Sequence, residues 1–132
     1  MTVYVLGIGS NINAEYQCCQ MIAALEQRFG KVTVSELVTT KAVGLEAPDY
    51  INGVVCVESD MSAETLQQWC KRLEEQLGRD REQHLCAADI DLLLALDSSG
   101  ALAVEKLINQ VKEPWFRPLV TELLNRNMMS SG

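Results

Sequence analysis

Two aspartates one residue apart open an apolar run near residue 90. Asp89 and Asp91 stand in "ADIDLLLALD", a pattern typical of a buried strand. Side chains at i and i+2 of a strand point to the same face, so we expect the two carboxylates side by side, with Ile90 and Leu92 facing the core. Carboxylates this close repel unless a cation lies between them, and Mg²⁺ prefers two carboxylates completed by phosphate oxygens and water. The alternative is a solvated strand start.

Two arginines precede this run, on a loop that follows a helix-ending glycine. Arg79 and Arg81 belong to "GRDR", and the planar fork of a guanidinium group suits phosphate oxygens. The alternative is a solvent-exposed loop in which the neighbouring acidic residues neutralise both arginines. His84, the only histidine, is either a phosphate donor or a solvated loop residue.

A third candidate pair is Tyr50 and Asn52 in "APDYIN". The two side chains share a strand face and place an aromatic plane beside an amide. This pairing suits a flat heterocycle whose ring is stacked and whose edge is hydrogen-bonded. The alternative is a tyrosine packed in the core and an asparagine at a turn.

The hydrophobic pattern predicts the elements that position these groups. Strands are predicted over residues 4–8, 32–37 and 50–57 and from residue 89, with a loop over 39–48. Asn13 and Ser62 are predicted N-caps of helices that end at Gly30 and Gly78. The order β-α-β-β-α-β predicts an α+β, ferredoxin-like fold, an antiparallel sheet with two helices packed on one face. Helical spacing over residues 102–111 and again after Pro114 predicts extra C-terminal helices.

Composition limits the class of protein. A chain of 132 residues predicts one domain, and a net charge of −7 argues against nucleic-acid binding. No apolar run approaches the roughly 20 residues that span a membrane, and the N-terminus does not resemble a signal peptide, so we expect a cytoplasmic protein. The five cysteines have no CxxC spacing, which indicates neither a disulfide framework nor a zinc site. Cys56 and Cys70 are predicted core thiols.

The candidate segments together resemble a known family. "GIGSN", "APDYINGVV", "LEEQLGRDR" and "DIDLLLA" occur in the order found in the 6-hydroxymethyl-7,8-dihydropterin pyrophosphokinase family of folate biosynthesis. The resemblance covers residues 3–96 of a single domain over 1–132, and residues 97–132 form a divergent helical segment. It implies the ferredoxin-like fold and the transfer of pyrophosphate from ATP to the pterin hydroxymethyl group, with release of AMP.

The resemblance also implies a role for each candidate residue. Asp89 and Asp91 would bind two Mg²⁺ ions that bridge the triphosphate. Arg79 and Arg81 would begin the catalytic loop, and Glu74 matches the family's acidic residue near the end of the second helix. The nucleotide contacts would therefore come from Glu74, Arg79, Arg81 and His84. Tyr50 would stack on the pterin and Asn52 would read its edge, and the remaining pterin contacts would come from Thr40, Val43, Gly44 and Phe116.

The sequence departs from the family pattern at several points. "EQHLCAA" stands where the family has a tryptophan and a "GPR" element, so Cys86 or His84 replaces an arginine. "TTKA" replaces "RTPP", and the family's "VPH" segment is absent. Lys41, Lys112 and Arg117 are the candidates for replacement cations. Two hypotheses follow: a divergent pyrophosphokinase, or a catalytically impaired paralogue that serves as a pterin-binding, nucleotide-binding or regulatory module.

Overall fold

The computed structural model describes residues 2–40, 49–79, 86–97, 111 and 114–130, with the backbone alone at residue 97 and from residue 124 onward. These residues form, in chain order, β1 (Thr2–Ser10), α1 (Ala14–Phe29), β2 (Thr33–Val34), β3 (Val38–Thr40), β4 (Tyr50–Ser59), α2 (Ala63–Gln76), β5 (Asp89–Asp97) and α3 (Arg117–Ser130). The predicted α+β class is confirmed. The predicted helix over 102–111 lies outside the described residues except for its last position.

The strands form one antiparallel sheet in the order β2-β4-β1-β5, with β3 also paired to β4. The central strand β1 pairs with β4 over its whole length and with β5 from Gly9↔Asp89 to Thr2↔Asp97. The register of β5 shifts at Leu93, since Val5 pairs with Leu94 whereas Leu6 pairs with Leu92. Within the described sheet, β5 is therefore an irregular edge strand.

Both faces of the sheet are covered by apolar side chains. Helices α1 and α2 pack on the face that carries Leu6, Ile8 and Ile90. The other face carries Val5 and Val54 and packs against α3. The prediction of two helices on one face therefore agrees with the packing, and the predicted C-terminal helix lies on the opposite face.

Local chemistry explains where the helices begin and end. Ser62 caps α2 as predicted, because its Oγ accepts a hydrogen bond from the Thr65 backbone N–H over 3.2 Å. Gly78 follows α2 with φ 96°, a left-handed conformation that glycine adopts without steric cost. Asn13 stands at the predicted start of α1 but has φ 47° and makes no side-chain cap hydrogen bond.

The prediction of one continuous strand over 32–37 was wrong, and the predicted loop over 39–48 was wrong at its first two residues. Residues 41–48 of that loop lie outside the described residues. Buried Ser35 separates β2 from β3, because its Oγ accepts the hydrogen bond of the Val54 N–H over 2.8 Å. The Ser35 N–H donates to the Val54 carbonyl over 2.8 Å, so both backbone groups of Val54 bond to one residue. Thr39 and Thr40, predicted in a loop, belong to β3 and pair with β4.

Cys56 and Cys70 are buried, as predicted. In the part of the chain that the structure describes, no helix has the length and apolar character needed to cross a membrane.

Candidate active site

A polar row crosses three strands on the sheet face opposite α1 and α2. Asp89 of β5 pairs with Gly9 of β1, and Gly9 pairs with Asn52 of β4. A Cβ atom at residue 9 would lie 2.7 Å from Asn52 Oδ1, so glycine leaves the space that the amide occupies. Neighbouring strands are about 4.8 Å apart, so β5, which carries the carboxylates, and β4, which carries Asn52, lie about 10 Å apart.

A short hydrogen-bond network fixes the Asn52 amide at one end of this row. Asn52 is buried, and its Nδ2 donates to Thr40 Oγ1 over 2.7 Å. Thr40 pairs with Tyr50 across β3 and β4, so these three predicted pterin contacts lie next to one another on the same face. The other predicted pocket residues, Val43 and Gly44, lie outside the described residues.

Tyr50 links the two sides of the row. Its hydroxyl interacts with the thiol of Cys86, which precedes β5, and Asp89 and Arg79 lie close enough to influence it. Burial, followed by the interaction with Cys86, raises the pKa of Tyr50 to about 12. The hydroxyl therefore stays protonated at neutral pH and is the donor in its interaction with Cys86.

Cys86 is fixed by the turn that follows β1. The Asn11 N–H donates to the Cys86 carbonyl over 2.9 Å, and the Cys86 N–H donates to Asn11 Oδ1 over 2.6 Å. Ser10 Oγ donates to the same carbonyl over 3.3 Å. These bonds continue the pairing of β1 with β5 beyond Gly9. Burial raises the pKa of Cys86, although the Arg79 guanidinium opposes the shift.

Arg79 joins two carboxylates at the edge of the sheet. Its Nη1 donates to Asp89 Oδ1 over 2.8 Å, to Glu74 Oε2 over 3.0 Å and to the Ala88 carbonyl over 3.3 Å. Burial alone would lower the pKa of Arg79, but the hydrogen bond to Asp89 and the surrounding negative charges raise it. The guanidinium therefore remains charged.

A cavity of about 280 Å³ lies beside this ion pair, between α2 and β5. Its described charged lining consists of two cations and three carboxylates: Lys71, Arg79, Glu74, Asp89 and Asp91. An anionic ligand in this cavity would therefore need additional positive charge.

The donor set fits Mg²⁺ better than a fully protein-bound metal. In the described ranges, no three His, Cys, Asp or Glu side chains are grouped so that they could hold an ion. Asp89 and Asp91 alternate with buried Ile90 along β5, so both carboxylates project from one side of the edge strand. Two carboxylates leave most of an octahedral coordination shell to phosphate oxygens and water, which is how Mg²⁺ is commonly bound with nucleotides.

Phe116 lies on the same sheet face but in the core. A Cβ atom at Gly7 would lie 2.7 Å from Phe116 Cζ, and Gly7 pairs with Asp91. The ring is 4% exposed and packs in the cluster beneath α3. Phe116 therefore packs against β1 next to the strand position of Asp91. Its neighbour Trp115 is exposed.

The other candidate cations are only partly described. Arg117 Nε donates to the Val111 carbonyl over 2.8 Å, so this arginine connects α3 to the preceding segment. Arg81 and His84 lie outside the described residues, as do Lys41 and Lys112.

Sequence reasoning missed two groups that shape the site. The first is Asn11, which holds Cys86 from 75 residues away. The second is the pair of glycines in "GIG", where two glycines on one strand face signal a close approach of other groups.

Comparison with known proteins identifies the family of this chain. The family model described as 7,8-dihydro-6-hydroxymethylpterin-pyrophosphokinase matches residues 5–119, and the chain belongs to this family. It is 29% identical over 113 residues to the 2-amino-4-hydroxy-6-hydroxymethyldihydropteridine pyrophosphokinase of Haemophilus influenzae. The matched region covers 81% of this chain and 69% of the relative. The family membership predicted from the sequence segments is therefore confirmed.

Proposed function

We propose that this chain transfers the pyrophosphoryl group of ATP to the hydroxymethyl group of 6-hydroxymethyl-7,8-dihydropterin and releases AMP. The row Asp89–Gly9–Asn52 carries this proposal, because it places a buried amide and a pair of strand carboxylates about 10 Å apart on one sheet face. Family membership and the name of the relative support the same reaction. All five cysteines are free thiols, which supports a reducing, cytoplasmic location.

The pterin is assigned to the amide side of the row. Asn52 offers both a donor and an acceptor to the ring edge, and Thr40 orients its amide. Tyr50 offers the plane of its aromatic ring, and the interaction of its hydroxyl with Cys86 fixes the orientation of that ring. Val43 and Gly44 are proposed to complete the pocket through their backbone.

The triphosphate is assigned to the carboxylate side of the row, at the edge formed by β5. Asp89 and Asp91 would hold the metal, for which we propose two Mg²⁺ ions. Bound Mg²⁺ neutralises phosphate charge and orients the phosphates for displacement. Arg79 lies beside both groups and can donate to phosphate oxygens, and Arg81 and His84 are proposed as further phosphate contacts.

The proposed reaction is an in-line displacement. The pterin hydroxymethyl oxygen attacks the β-phosphorus of ATP and loses its proton to solvent. The bond between the β-phosphorus and the oxygen that bridges to the α-phosphorus breaks, and that oxygen leaves with AMP. The residues of this chain contribute by positioning the two substrates and by balancing charge, which dominate catalysis of phosphoryl transfer.

The test is AMP release from ATP by the purified chain in the presence of Mg²⁺ and 6-hydroxymethyl-7,8-dihydropterin. We expect AMP from the wild type and a loss of at least about 100-fold in Asp91→Ala, since metal-assisted charge stabilisation contributes several kcal/mol. Asp60→Ala is the matched control, because Asp60 is an exposed carboxylate outside the site. Calorimetric pterin binding without AMP release would contradict the proposal and favour the impaired paralogue.

A further inference from the structure

Glu74 is a buried carboxylate with donors from the protein itself. It is 4% exposed, and its Oε2 accepts hydrogen bonds from the Ile90 N–H over 2.7 Å and from Arg79 Nη1 over 3.0 Å. A buried carboxylate is costly unless it is hydrogen-bonded and paired. These two donors explain why a charged residue is tolerated between α2 and β5.

The turn after α2 brings Arg79 back onto Glu74. The left-handed Gly78 lets its own N–H donate to the Glu75 carbonyl and lets the Arg79 N–H donate to the Glu74 carbonyl, each over 3.0 Å. The side chain of Arg79 then bonds to the Glu74 carboxylate. Both the backbone and the side chain of Arg79 are therefore fixed by residue 74.

The bond to Ile90 gives Glu74 a second structural role. Ile90 lies between Asp89 and Asp91 on β5, and its N–H donates to Glu74. The Glu74 carboxylate thus fixes the position of β5, which carries both aspartates, relative to α2. It also fixes Arg79 beside them.

We propose that Glu74 is a positioning residue, which affects nucleotide binding through Arg79 and β5 instead of contacting the nucleotide. This inference rests on the proposed function of the site. A metal ion bound to Asp89 would compete for one of the two carboxylate partners of Arg79. The bond to Glu74 would then keep the guanidinium beside the phosphates, where its remaining N–H groups could donate.

The test is a double-mutant cycle on nucleotide affinity. Calorimetry with Mg²⁺ and a non-hydrolysable ATP analogue compares the wild type, Glu74→Gln, Arg79→Gln and the double variant. Glutamine keeps an oxygen for the Ile90 N–H but removes the charge that holds Arg79. Glu75→Gln is the matched control, because Glu75 is the exposed neighbour on the same helix. Pterin affinity and the urea midpoint are measured on every variant.

We expect Glu74→Gln to weaken nucleotide binding about 10-fold in the wild type and less than about 3-fold in the Arg79→Gln background. Glu75→Gln should change it less than about 2-fold, and pterin affinity should stay within about 3-fold in all variants. A general loss of structure would weaken both ligands together. If Glu74→Gln does not fold, Glu74→Asp replaces it in the cycle. Aspartate keeps the negative charge, but its side chain is one methylene shorter, so the carboxylate lies farther from Arg79.

Equal losses from Glu74→Gln in both backgrounds would overturn the inference, since Glu74 would then act independently of Arg79. No loss in either background would overturn it as well. Failure of the proposed function is recognised separately, because the wild type would then release no AMP in the activity assay. If the wild type also binds no nucleotide, the four urea midpoints form a second cycle, and additive shifts there would overturn the Glu74–Arg79 link on its own.

Discussion

Arg79 Nη1 donates to Asp89 Oδ1 over 2.8 Å, so one of the proposed metal ligands already has a cationic partner within the chain. The Asp89 side chain is 34% exposed and that of Arg79 is 22% exposed, so the pair is partly shielded from solvent. A metal ion that binds Asp89 must displace this guanidinium or share the carboxylate with it. The ion pair therefore couples metal binding to the position of an arginine suited to phosphate.

Removing Arg79 should change metal and nucleotide binding in opposite directions. In Arg79→Gln, Mn²⁺ used as a probe without nucleotide should bind more tightly, by about 3- to 10-fold, because a competing cation is gone. The affinity for Mg²⁺ with a non-hydrolysable ATP analogue should fall about 10- to 100-fold, the equivalent of one or two charge-assisted hydrogen bonds. Electron paramagnetic resonance measures the first affinity and calorimetry the second.

Arg72→Gln is the control for this experiment, because Arg72 is an exposed arginine of α2 and its loss changes the net charge equally. It should leave both affinities within about 2-fold. Weaker Mn²⁺ binding in Arg79→Gln would show that Arg79 supports the metal site instead of competing for it.

Local patterns were sufficient to predict most of the fold. Ser62, Gly78 and the apolar stripe of α2 are signals contained in one segment, and the helix lies where they indicate. The break between β2 and β3 could not be predicted in this way. It depends on the hydrogen bond between Ser35 and Val54, which lies 19 residues further along the chain. The alternation of apolar and polar residues over 32–37 would be the same without that bond.

The candidate site was predictable only as separate pieces. The spacing of Asp89 and Asp91 predicted two carboxylates on one strand, and the pairing of β5 with β1 determines what lies beside them. The partnership of Arg79 with Glu74 requires the left-handed turn at Gly78, and the contact of Asn11 with Cys86 requires the sheet. Single-segment patterns contain no information about such distant contacts.

Gly9 should be required for ring recognition more than for stability. In Gly9→Ala the new Cβ would lie 2.7 Å from Asn52 Oδ1, the end of a side chain that can move. The amide should shift away and lose its 2.7 Å bond to Thr40. We expect pterin affinity measured by calorimetry to fall about 3- to 10-fold, the value of about one net hydrogen bond.

Gly7→Ala provides the contrast, because it adds the same methyl group to the same strand face. Its Cβ would meet the buried ring of Phe116 at 2.7 Å, and overpacking a core typically costs about 1–3 kcal/mol. We expect a lower urea midpoint for Gly7→Ala and a smaller change for Gly9→Ala. The Asn52 interpretation fails if Gly9→Ala binds pterin as tightly as the wild type.

Stability should fall in alkaline solution because of three buried thiols. Burial raises the pKa of Cys18 and Cys56 to about 11 and that of Cys70 to about 12, from 9.0. Between these values the unfolded chain has lost the thiol protons and the folded chain retains them, so rising pH favours unfolding. The stabilisation is complete below about pH 8.5 and is lost toward pH 11, at up to about 1.4 kcal/mol per pH unit for each thiol.

Urea midpoints measured under reducing conditions from pH 7.5 to 10.5 test this expectation. Cys70→Ala should start from a lower midpoint, because it leaves a small cavity, but should lose stability less steeply as the pH rises. Cys19→Ser is the control, since Cys19 is exposed, and its profile should run parallel to that of the wild type. An equally steep decline in Cys70→Ala would mean that groups other than this thiol set the alkaline limit.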